Sequence, residues 1–149
     1  MLGRIEAATV GTRSQSTLIR LIWVTPLAML AATAANLGLY YASGILAPEV
    51  LAWPGAGPAQ IAGANMIYLL GGAITLAVIA RLSSRPRRLY VIAASIGLLV
   101  SLALPISAGL GYGPPGTPPA GLATVISLSL MHVVSYAISV PLSIRYVLA

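Results

Sequence analysis

No charged residue occurs between Arg20 and Glu49, between Glu49 and Arg81, or between Arg88 and Arg145. Uncharged apolar runs of this length belong in a bilayer, where about 20 residues at roughly 1.5 Å each cross a hydrocarbon core of about 30 Å. Over all 149 residues only 7% are charged and 58% are hydrophobic, with a mean hydropathy of +0.96, against the roughly 25% charged residues of ordinary soluble domains.

The expected spans follow from where the runs stop. Leu21–Ala42 gives the first helix, after an N-terminal segment 1–20. The second, Ile61–Ala80, begins after the loop Pro54-Gly-Ala-Gly-Pro58 and stops against Arg81. The run from Leu89 to Ile144 is too long for one crossing. Gly111-Tyr-Gly-Pro-Pro-Gly-Thr-Pro-Pro119 divides it, because clustered Pro and Gly cannot continue a helix, into helices at about 89–110 and 122–144. The expected fold is an all-α integral membrane four-helix bundle in one domain, antiparallel and up-down.

The arginines set the expected orientation. Arg4, Arg13 and Arg20 precede the first helix, Arg81, Arg85, Arg87 and Arg88 lie between the second and third, and Arg145 follows the fourth. Four crossings put all eight on one face, which the positive-inside rule makes cytoplasmic, so both termini are expected there, in a bacterial inner membrane. A secretory signal ending near Ala31-Ala-Thr-Ala-Ala35 is the competing reading, but the apolar stretch runs on to Leu46, which suits a retained span. The excess of arginine points to anionic lipid rather than nucleic acid. Arg81, Arg85, Arg87 and Arg88 form the expected headgroup contact. Trp23, Tyr40, Tyr41 and Trp53 fit an interfacial aromatic belt, and the loop 47–60 is expected along the membrane surface.

Catalytic equipment is nearly absent. Cysteine does not occur, which removes disulfides, thiolate nucleophiles and thiolate-held metals, and the only acids are Glu6 and Glu49. Opposite loops keep those two apart, so no carboxylate pair forms, and a serine triad lacks its aspartate. No phosphate-binding glycine loop is present. The expectation is a chain without enzyme activity, resident cofactor or metal site.

Polar side chains inside the spans carry more information, because an unsatisfied group in lipid is costly. Asn36, Asn65 and His132 each need a partner or a cavity. At about 100° per residue His132 shares a helix face with Ser135, Ser139 and Ser143, with Tyr136 nearby, a stripe that either lines a pathway or bonds other helices. Asn36, Asn65, His132, Ser135 and Ser139 therefore form the candidate polar cluster. For His132 the leading expectation is an interhelical hydrogen bond; proton or solute handling and axial ligation of a haem or chlorin are the other two. Ala28, Ala32 and Asn36, with Ala31 and Ala35, form small-residue stripes suited to close helix packing, as do Gly63, Gly71, Gly72 and Thr75 in the second helix and Gly97 with Ser101 in the third.

Asn36-Leu37 with Tyr40, Arg81 through Arg85-Pro86-x-Arg88, Pro105, Leu130-Met131-His132 and Val140-Pro141 together resemble a family of small four-helix bacterial membrane proteins of uncharacterised function. The resemblance spans about residues 18–144. It implies fold and location, carries no activity, and suggests testing Asn36 and His132 together. The expected role is a non-catalytic packing or accessory component, a homo-oligomer or part of a larger membrane complex. The alternative is a small transporter or channel using Asn36, Asn65, His132 and the serines of the fourth helix, and an intramembrane enzyme is third.

Overall fold

In the computed structural model, residues 2–113 and 115–148 are described, with side chains from Leu18 onward. The side chains of Arg4, Glu6 and Arg13 therefore lie outside the described residues. The described residues form six helices and no strand: α1 Leu2–Leu46, α2 Glu49–Ala52, α3 Pro58–Leu82, α4 Pro86–Ser101, α5 Ala103–Gly109 and α6 Leu122–Tyr146. Among the described residues four helical stretches are long and apolar enough to cross a membrane: Leu18–Leu46, Pro58–Leu82, Pro86–Gly109 and Leu122–Tyr146.

Helix starts obey local chemistry. Gly57 is extended and Pro58 follows it in the first turn of α3, where a missing N–H costs nothing. That start lies three residues before the expected Ile61, since proline initiates a helix as readily as it interrupts one. Pro86 likewise opens α4 after the turn at Ser83–Arg85, and the extended Gly121 precedes α6. Pro26 and Pro141 sit inside α1 and α6, and both helices continue through them, as membrane helices tolerate.

The third span differs from the single helix expected. Pro105 has no N–H to offer the carbonyl of Ser101, and the Ser101 hydroxyl turns back on the Leu98 carbonyl at 2.8 Å, a bond that bends helices. The regular helix is interrupted for one residue at Leu102, where α4 meets α5, although the Leu102 N–H still donates to the Leu98 carbonyl at 3.0 Å and its carbonyl accepts from Ile106 at 3.4 Å.

Around the molecule α1 packs against α3 and α6, and α4 packs against α3 and α6 in turn. The short α5 leans on α6 and scarcely touches α3, which leaves a groove between α3 and the α4–α5 pair. One apolar cluster joins Leu21, Leu76, Tyr90, Val140 and Val147, all near arginines in sequence. A second joins Tyr40, Val50, Ile61 and Met131, and a third Trp53, Ala56, Ala108 and Ala120.

The segment 47–60 does more than lie along a surface. The single turn of α2 buries Val50, and Trp53 is tucked inward with its indole N–H donating to the Pro118 carbonyl at 2.9 Å. Tyr40 is also buried and donates to the Ala56 carbonyl at 3.2 Å. Both rings therefore turn into the protein instead of outward, because each finds a loop carbonyl that would otherwise lack a donor in apolar surroundings. Trp23 and Tyr41 remain exposed.

Candidate functional site: a polar lock beside a lateral groove

Asn36 faces α3 and α6 because Ala28, Ala32 and Asn36 recur every fourth residue and all three are buried. Small side chains on that stripe let the backbones close in, and Asn36 then spends both N–H groups on neighbours. It donates to Oδ1 of Asn65 at 3.1 Å and to Oγ of Ser135 at 2.8 Å. Ser135 donates in turn to the same Asn65 oxygen at 3.0 Å, and Nδ2 of Asn65 reaches Oγ1 of Thr33 at 3.3 Å. Three helices are thus tied by a closed triangle with one outlying bond. Oδ1 of Asn36 is buried without a partner among the described residues.

Of the five candidate residues, Asn36, Asn65 and Ser135 enter this network, and His132 and Ser139 do not. The reason is angular: Ser135 lies about 60° around α6 from His132, so when one points at Asn36 and Asn65 the other is turned aside. The His132 ring instead meets the Tyr68 ring edge to face, with centroids 5.9 Å apart. No hydrogen bond to a described residue engages its nitrogens, which departs from the interhelical bond expected of it.

The rest of the α6 stripe bonds other helices. Tyr136 shares a 2.9 Å hydrogen bond with Ser95, and Tyr90 donates to Ser143 at 3.5 Å, both linking α6 to α4. Thr33, Tyr68, Ser95 and Tyr90 are the partners that sequence reasoning missed. Thr33 was findable, since it precedes Asn36 by three residues and shares its face.

The groove holds two cavities. One of about 500 Å³ lies between α3, α4 and α6 and reaches Gly71, Tyr90, Gly97, Tyr136 and Ser139. The other, about 440 Å³, lies between α3, α5 and α6 and reaches Trp53, Gln60, Ala64, Pro105 and Met131. Tyr68, His132 and Ser135 line both, so His132 stands where the two meet. No arginine or glutamate lines either cavity. A separate shallow depression is bounded by Arg85, Pro86, Arg87 and Arg88. Among the described residues no three His, Asp or Glu side chains gather as a metal site would require.

A bundle whose four long apolar helices are joined by buried amide and hydroxyl bonds is a multi-pass membrane protein. The chain belongs to a family of unknown function, DUF6069, whose model matches residues 16–148. Comparison with curated proteins and with solved structures finds no match.

Proposed function

We propose that this chain is a non-catalytic multi-pass protein of the bacterial inner membrane that works by lateral association, with copies of itself or as an accessory component of a larger assembly. The proposal includes an antiparallel up-down arrangement with both termini in the cytoplasm. Every arginine then falls on the cytoplasmic face, where Arg81, Arg85, Arg87 and Arg88 meet anionic headgroups.

One observation carries the reading. The Ala28–Ala32–Asn36 stripe of α1 is used up inside the bundle, yet a second small-residue stripe, Ala34, Gly38 and Ala42, is exposed at spacings of four. A Cβ on Gly38 would meet nothing within 4 Å, so another helix can approach the backbone closely there. The polar triangle supports the same view, because Asn36, Asn65 and Ser135 bond to one another and to Thr33 and so hold α1, α3 and α6 in one packing arrangement. Extraction in a mild detergent, with the mass of the intact particle and the identity of copurifying chains, tests it. A particle holding one copy and nothing else sinks the reading.

A second reading, a small transporter, draws on the meeting of two cavities at His132. Solute flux into liposomes that vanishes in His132→Leu would favour it.

A further inference from the structure

His132 lies within a span, between two cavities, with an aromatic edge beside it and no hydrogen bond to a described residue at either ring nitrogen. A neutral imidazole carries one donor and one acceptor, and here the ring opens onto both cavities instead of being sealed in protein, so its nitrogens are free to bond whatever fills them. The groove therefore suits an occupant that satisfies them.

Four properties of the groove define what fits it. The absence of any charged lining residue excludes an ionic headgroup, since an unpaired charge moved there would lose its hydration without compensation. Neither cavity can enclose a helix, since a cylinder about 10 Å across and about 30 Å long displaces on the order of 2,400 Å³, whereas a slender chain fits. The wall of the smaller cavity is aliphatic along Ile61, Ala64, Leu104, Pro105, Leu128 and Met131, which suits a hydrocarbon chain. Access is lateral, because α5 stands off from α3.

We propose that the groove binds an uncharged, hydroxyl-bearing aliphatic amphiphile, its hydroxyl on His132 and its chain in the cavity between α3 and α5. A hydroxyl both donates and accepts, so it meets either tautomer of the imidazole. Such a molecule comes from the bilayer itself and enters without crossing water. This inference stands apart from lateral association, which uses the outer face of α1.

The test uses the full chain in phosphatidylcholine vesicles and a long-chain primary alcohol carrying an aliphatic diazirine near its far end. Irradiation is expected to label residues of α3, α5 or α6 around the smaller cavity. Unlabelled alcohol competes, and its methyl ether, which cannot donate, competes about five- to tenfold less well. Filling the smaller cavity at the exposed Ala64 with A64W abolishes labelling, and G97L in the other cavity leaves it unchanged. His132→Leu loses the preference for alcohol over ether, and His132→Gln, which keeps a donor and an acceptor, restores most of it. Equal competition by alcohol and ether overturns the proposal, as does labelling spread evenly over the lipid-facing helices or blocked by G97L instead of A64W. Because particle mass is read separately, a chain that proves to be a lone copy leaves this test intact.

Discussion

Nδ2 of Asn36 lies 3.1 Å from Oδ1 of Asn65, a buried amide pair that joins α1 to α3 across 29 residues of sequence. The same amide group also holds Ser135 of α6, so one side chain of α1 sets the register of two neighbouring helices.

Replacing Asn36 by leucine is expected to destabilise the folded chain by about 0.5–2 kcal/mol, the range that buried polar contacts between membrane helices deliver. It strands the Asn65 carbonyl with Ser135 alone. Asn65→Leu added to Asn36→Leu should cost less than the sum of the two, because the shared bond is lost only once. A double-mutant cycle by reversible unfolding in mixed micelles reads this directly, and strict additivity would dissolve the triangle.

Gly38→Ile places a branched side chain on the exposed stripe of α1 where a Cβ otherwise meets open space. Folding should be indifferent to it. Association should weaken by on the order of 1 kcal/mol or more, seen as a smaller particle at equal protein concentration in mild detergent. An unchanged particle would move the contact surface elsewhere.

Trp53→Phe keeps most of the buried ring and deletes the 2.9 Å bond to the Pro118 carbonyl. A loss of about 1 kcal/mol is expected, together with faster hydrogen exchange and easier proteolytic cleavage between residues 110 and 121. Cleavage no faster than in the parent would mean that the indole bond does not anchor the loop.

The cysteine-free sequence makes orientation measurable with single introduced thiols. Ser84→Cys in the α3–α4 turn should react with a membrane-impermeant maleimide only from the cytoplasmic side, and Pro115→Cys only from the opposite side. Labelling of both from one side would refute the proposed topology.

Much of the helical frame is legible in the sequence, since charge-free runs and Pro/Gly loops are one-dimensional signals. The interruption at Leu102 is harder to foresee: Pro26, Pro105 and Pro141 all lie inside apolar runs, yet α1 and α6 continue through theirs while the third span is interrupted just before Pro105. At the site, polarity in lipid singles out Asn36 and Asn65, but which of His132 and Ser135 joins them depends on a rotation of about 60° around α6 that no periodicity fixes. Trp53 and Tyr40 resemble interfacial residues until the loop carbonyls of Pro118 and Ala56 are in place. The exposed stripe Ala34, Gly38 and Ala42 is hidden in α1 because alanine and glycine occur on almost every side of that helix, and only packing reveals which side is already occupied.

The interruption at Leu102 has a mechanical meaning. An unbroken helix acts as a rod that carries tilt and rotation from one membrane face to the other. Here α4 is held by Tyr90 and Ser95 against α6, and α5 by its own tie, the Ala120 N–H donating to the Ala108 carbonyl at 3.0 Å. The span is therefore anchored twice, once on either side of Leu102: through α4 to α6, and through α5 to the loop that leads into α6.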